Sequence, residues 1–181
     1  MLLNLRRSII AMVILTVICG VIYPLIETGL AQWWFPSQAN GSITKNGSTL
    51  IGQTWKGAAW FHGRPDADDP SATGPTNLGP TSKELAAAVR DAIQAEAALG
   101  ISNPPANLVT TSGSGVDPDI SPESALVQVN TVAKAHNLSP AAVRKLVLDQ
   151  ESGPELGFLG ASTVNVLELN EALAALVAGS K

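Results

Sequence analysis

The chain has two imidazoles, His62 and His136, and they lie in segments of different character. His62 opens a stretch rich in proline and glycine. His136 ends a helical pattern, where an imidazole suits the negative end of the helix dipole. No group of His, Cys, Asp or Glu has metal-ligand spacing, and the single cysteine, Cys19, sits inside an apolar run. Asp117-Pro118-Asp119 lacks the glycine and distal glutamate of a calcium loop, so its carboxylates read as turn caps. Ser112-Gly113-Ser114-Gly115 offers backbone amides that could cradle a phosphate. It lacks a P-loop lysine and Gly-x-Gly-x-x-Gly spacing, so a polar glycine turn is the plainer reading. No nucleophile-elbow sequence is present. Gly63-Arg64-Pro65 puts an arginine in a constrained turn beside Trp60 and Phe61. Arg64 is expected either to pair internally with Asp66, Asp68 or Asp69, structuring the loop, or to face a partner protein together with Trp60 and Phe61. No catalytic, cofactor-binding or metal residue is assigned.

The strongest signal lies earlier. Residues 8–25 carry no charge, with Arg6 and Arg7 just before them and Glu27 just after. As a helix this run is ~27 Å long, close to the hydrocarbon thickness of a bilayer. Arg6 and Arg7 are the only basic residues before Lys45, and basic flanks stay in the cytoplasm. The expected topology is single-pass in the plasma (inner) membrane, with the N-terminus cytoplasmic and the rest extracytoplasmic (periplasmic in a two-membrane cell). Met12, Thr16 and Gly20 follow one another at four-residue steps, with Pro24 next, and suggest a helix-packing face of small residues. Pro24 is expected to kink the helix, and Tyr23, Trp33, Trp34 and Phe35 suit the headgroup region. The alternative is a secreted enzyme or binding protein released by signal cleavage, because Gly29-Leu30-Ala31 has a small-x-small form. Against it, the apolar run is longer than the roughly 7–15 residues of a signal core.

Nine of the eleven Lys and Arg residues follow the run, against all fifteen Asp and Glu residues, a net charge of −6. Such a region does not hold nucleic-acid backbones by bulk electrostatics. The expected organisation is a cytoplasmic N-terminus at 1–7, a transmembrane helix and membrane-proximal stalk at 8–35, and one compact α+β domain at 36–181. Strands are expected at 48–52, 58–61, 107–111 and 164–166. Residues 62–80 hold four Pro, three Gly and three Asp and read as a long loop. Thr81 with Glu84 resembles a capping box that opens a helix running to Leu99. Leu85, Val89, Ala92, Ile93, Glu96 and Leu99 fall on one stripe of it. Ser121-Pro122 and Ser139-Pro140 should open two further helices, with Leu126, Val129, Val132 and Ala133 facing inward on the first. Val143, Leu146 and Val147 do the same on the second, and a last helix covers 169–177.

Seven words stand out in register: Cys19-Gly20-x-x-Tyr23-Pro24-Leu25; Phe35-Pro36-x-Gln38-Ala39-Asn40-Gly41-Ser42; Ile51-Gly52-Gln53; Trp60-Phe61-His62-Gly63-Arg64-Pro65; Asn77-Leu78-Gly79-Pro80-Thr81; Thr111-Ser112-Gly113-Ser114-Gly115-x-Asp117-Pro118-x-Ile120-Ser121-Pro122; and Val164-Asn165-Val166-Leu167-x-Leu169-Asn170. In this order they resemble the C subunit of the bacterial Kdp high-affinity potassium-transporting ATPase, the KdpC family, over nearly the whole chain. Asp66 stands where that family usually has Ser, and Thr76 where Ser usually precedes Asn-Leu. The resemblance implies a non-catalytic accessory subunit needed for assembly. Its partners would be a channel-like potassium-binding subunit, a P-type ATPase subunit and a small single-helix subunit. It also implies a catalytic chaperone that raises the ATP affinity of the ATPase subunit. ATP enters only through that partner, since the residues here form no ATP site.

Overall fold

The computed structural model describes residues 2–66, 71 and 73–179. It divides into two units, Met1–Ile43 and Thr44–Lys181, each treated by itself.

The first unit is one continuous helix, Leu2–Trp34, long and apolar enough to cross a membrane and with none of its spanning window buried within the chain. It consists of α1 (Leu2–Val17), a π-helical turn at Ile18–Ile22 and α2 (Tyr23–Trp34). The wide turn has a cause in Pro24, which lacks an N–H and crowds the carbonyl one turn upstream. Tyr23 N–H reaches Ile18 O instead, an i→i+5 closure that takes up the disruption. Phe35, at φ −135° and ψ 57°, ends the helix, and Pro36 opens the short α3 (Pro36–Ala39). Gln32 and Asn40 then exchange two amide hydrogen bonds of 3.1 Å across that corner.

The second unit mixes helices and short strands. A two-stranded hairpin, β1 (Ile43–Thr44) with β2 (Gly47–Ser48), leads into it. The helices are α4 (Lys83–Ala98), α5 (Pro122–His136), α6 (Pro140–Asp149) and α7 (Val166–Gly179). A three-stranded antiparallel sheet has the order β3 (Asp119–Ile120), β5 (Thr163–Asn165), β4 (Glu151–Ser152). Its register pairs Ile120 with Val164 and Val164 with Glu151. Ser121 and Ser139 cap α5 and α6 as their sequence signatures require, accepting from Ser124 N–H and Ala142 N–H. α4 differs by one position: Ser82, not Thr81, is the cap, accepting from Leu85 N–H and donating to Glu84. The Ser82 hydroxyl also holds the Glu84 carboxyl below its ordinary pKa.

The core joins Val129, Val132 and Ala133 of α5, Val143 and Val147 of α6, Leu169 and Leu173 of α7, and Ile120 and Val164 of the sheet around Phe61. Leu126 and Leu146 pack at its margin, completing the two expected apolar faces. α4 stands apart from this pattern. Its one buried side chain is Glu96, while Ile93 on the same stripe is 42 % exposed.

Three expected strands are absent. Residues 49–52 form a turn beyond β2, and 107–111 are replaced by a 3₁₀ turn at Ala106–Leu108. The stretch 58–61 pairs with no strand; its Phe61 backbone is met by a side chain instead. Asn170 of α7, wholly buried, accepts Phe61 N–H and donates to Phe61 O, both at 2.9 Å. Gln128 of α5, 1 % exposed, accepts His62 N–H at 2.8 Å and donates to His62 O at 3.0 Å. Two carboxamides thus imitate a neighbouring strand and seat the Phe61 ring in the core. Replacing Asn170 with Leu leaves the Phe61 N–H and C=O buried without partners, at a cost of about 2–5 kcal/mol. Thermal unfolding of the full chain in detergent, followed by near-UV circular dichroism, should show a Tm lower by about 4–20 °C, at on the order of 2–4 °C per kcal/mol for a chain of this size.

Candidate functional site

The segment that leaves the amide clamp carries the residues singled out by their chemistry. Trp60 packs on the core with its ring tilted 45° to that of Trp55 at 5.0 Å, and Phe61 is wholly buried. Next, the Arg64 guanidinium donates to Thr111 O at 2.8 Å, to Thr110 O at 3.3 Å and to Thr110 Oγ1 at 3.4 Å. Its carboxylate contact is Asp117, at 3.5 Å, and the Arg64 side chain is 18 % exposed. Asp66 does not face Arg64. Asp68 and Asp69, the other carboxylates considered for it, lie outside the described residues.

Asp66 instead enters the glycine turn. Its carboxylate accepts Ser112 N–H and Ser112 Oγ–H at 2.7 Å and Asp117 N–H at 2.9 Å. Ser112 Oγ in turn accepts Gly115 N–H, and Ser114 Oγ accepts Val116 N–H. Of the amides that might have held a phosphate, that of Ser112 holds a carboxylate of the chain itself and that of Gly115 a serine hydroxyl. Glycine is required at two places in this region. Gly115 has φ +71°, and a Cβ there would lie 2.8 Å from Gly74 O. A Cβ at Gly52 would lie 2.7 Å from Asp117 O, where Gly52 N–H donates to Val116 O. Thr73 and Gly74, from the proline-rich loop, also bond Ser114 O.

Asp117 closes the turn expected of it by accepting Asp119 N–H on Oδ1. Burial foremost, with Asp117 nearby, raises the Asp119 carboxyl, and hydrogen bonds from Asn165 and Thr163 work against that. The imidazoles are structural donors: His62 Nε2 to Gly57 O at 2.9 Å and His136 Nε2 to Ala59 O at 2.7 Å. A carbonyl only accepts, so each Nε2 carries the proton. No group of three metal-ligating side chains occurs among the described residues.

A cavity of about 210 Å³ opens beside this network, lined among others by Trp55, His62, Arg64, Glu96 and Asp117. Two of its polar atoms, Trp55 Nε1 and Glu96 Oε2, are buried without a partner in the chain. Burial raises the Glu96 pKa, and the charge on His62 acts in the opposite sense. Sequence reasoning put Glu96 on an otherwise apolar stripe; that position was the available signal, but only the packing shows it buried against a cavity. In the membrane segment, Met12, Thr16 and Gly20 are exposed, and nothing in the chain lies within 4 Å of a Cβ built on Gly20.

The model of the family described as K+-transporting ATPase, c chain (KdpC), matches residues 5–175, from the first helix through most of α7. The chain belongs to the KdpC family. Among curated relatives, the potassium-transporting ATPase KdpC subunit of Acidobacterium capsulatum is 47 % identical over 92 % of this chain and 95 % of its own length. That of Klebsiella pneumoniae is 44 % identical over 94 % and 96 %, and that of Gloeobacter violaceus 48 % over 86 % and 87 %. The matched range spans the Arg64 network, the glycine turn and the amide clamp.

Arg64→Ala strands the Thr110 and Thr111 carbonyls and the Asp117 carboxylate, and should destabilise the chain by about 2–3 kcal/mol in urea unfolding. Unchanged stability with lost association would instead mark Arg64 as an interface residue. Glu96 gives a pH test. Its raised folded pKa means that the folded chain holds the proton more tightly, so ionisation imposes a penalty. That penalty is absent below the ordinary value of 4.5 and complete above the raised one. Glu96→Gln should therefore unfold at a higher temperature than wild type near pH 7, with the gain vanishing near pH 4.

Proposed function

We propose that this chain is a non-catalytic accessory subunit of an ATP-driven, high-affinity potassium uptake complex. Family membership along almost the whole length carries this reading, since the relatives' names describe subunits of a potassium-transporting ATPase. The long apolar helix supports a single membrane anchor, and Arg6 and Arg7 support an orientation with residues 1–7 in the cytoplasm. On this reading residues 8–35 occupy the bilayer and its edge, and 36–181 lie on the extracytoplasmic side. The partners are a channel-like potassium-binding subunit, the P-type ATPase subunit whose residues perform the hydrolysis, and a small single-helix subunit.

The domain's own chemistry fits a scaffold. The arginine, the histidines and the carboxylates of the glycine turn are spent on internal contacts. The assembly role falls to the anchor: Met12, Thr16 and Gly20 form the helix face that meets the channel-like subunit, where small residues allow close approach. Any rise in the ATP affinity of the hydrolysing subunit is indirect, passed on through the channel-like subunit, because ATP and this domain are on opposite sides of the membrane.

Detergent extraction followed by affinity purification of the full chain tests the reading. Co-purification with the potassium-transporting subunits is expected, with an intact mass that retains residues before Gln32. A chain that travels alone, or begins at Gln32, overturns it. Gly20→Leu should lower the yield of assembled complex several-fold without lowering the amount of chain in the membrane. An unchanged yield would show that this face is turned to lipid.

A further inference from the structure

The two most exposed large apolar side chains of the second unit, among the described residues, lie in one turn. Leu156 is 81 % exposed, Phe158 74 % and Leu159 50 %, all within four residues of the turn that joins β4 to β5. The turn is closed. Glu155 and Leu159 exchange two backbone bonds of 2.9 Å, Gly157 N–H donates to Pro154 O and Phe158 N–H to Glu155 O. Leu156 itself takes φ +52°, a left-handed conformation that disfavours a branched side chain, flanked by Gly157 at +82° and Gly160 at +87° further on. A strained, internally bonded turn that holds Leu156 and Phe158 out into solvent gains nothing for the folded domain. Its side chains need an apolar partner outside it.

The surrounding charge selects that partner. The charged residues nearest the turn along the chain, Glu151 and Glu155, are both acidic, while Asp149 before them is paired with Lys145. An anionic bilayer surface repels such a segment, since interfacial lipid binding relies on basic residues beside the apolar ones. A second copy of the chain would bring the same acidic residues against it. We propose that the turn 154–160 is a protein-docking tip that places Leu156 and Phe158 in an apolar groove, rimmed by basic side chains, on another subunit of the complex. This rests on the subunit reading above.

The test uses the full chain co-expressed with the transport subunits. The double variant Leu156→Asn with Phe158→Ser should keep the wild-type Tm, because neither side chain is buried and Asn tolerates positive φ. The fraction co-purifying with the complex should fall about tenfold or more, as for central interface anchors. In a second measurement, a photoreactive benzophenone side chain at position 158 should crosslink to another subunit, and this holds whether or not the double variant folds. Equal co-purification of a stable double variant overturns the docking tip, as do crosslinks to lipid or to a second copy. If the wild-type chain itself fails to co-purify, the subunit reading falls first, which separates the two failures.

Discussion

A backbone segment that enters a protein core must find partners for its N–H and C=O groups, and here two side-chain amides supply them. Asn170 and Gln128, from different helices, hold Phe61 and His62 by four hydrogen bonds, all between 2.8 and 3.0 Å. A buried polar pair that is fully satisfied costs little, whereas a half-satisfied one is expensive. The clamp therefore fixes the distance between α5 and α7 as well as the position of the Phe61 ring. It also sets the starting point and direction of the chain that runs on to Arg64 and Asp66. The contacts of the glycine turn depend on that placement.

From this anchor the domain builds outward by internal satisfaction. Arg64 gathers the carbonyls of Thr110 and Thr111 and the Asp117 carboxylate, and Asp66 accepts the amides of Ser112 and Asp117. Charge-assisted hydrogen bonds of this kind are shorter and stronger than neutral ones, which suits them to joining segments separated by some fifty residues of sequence. Arg64, Asp66 and Ser112 thus bond to one another's segments within the chain.

Among the described residues, three places stand out for groups the chain does not itself complement. The membrane helix is apolar around its whole circumference, the turn 154–160 displays Leu156 and Phe158, and the cavity beside α4 contains the unpartnered Glu96 Oε2 and Trp55 Nε1. For the first two, lipid and neighbouring subunits are natural complements. α4 differs from the other helices in burying a carboxylate rather than a hydrophobic stripe, so it is held to the domain by less apolar contact than they are.

Local chemistry explains which elements could be read without a structure. Serine-proline starts at 121 and 139, the apolar periodicity of α5 and α6, and the uncharged run before Glu27 are decided within a few neighbouring residues. The matched words likewise pointed to the family that the whole-chain comparison shows. The amide clamp, the pairing of Arg64 with Asp117 rather than Asp66, and the burial of Glu96 were not legible, because each joins residues far apart in sequence. The short strands failed for the same reason. An alternating or β-branched stretch becomes a strand only if another backbone lies alongside it, and at 58–61 the bonded groups include the Asn170 and His136 side chains. The residues thus determined the helices, the membrane anchor and the turns, which are governed by local sterics and hydrophobic periodicity. Tertiary packing decided which polar groups would meet, because hydrogen-bond partnership is a property of position in space.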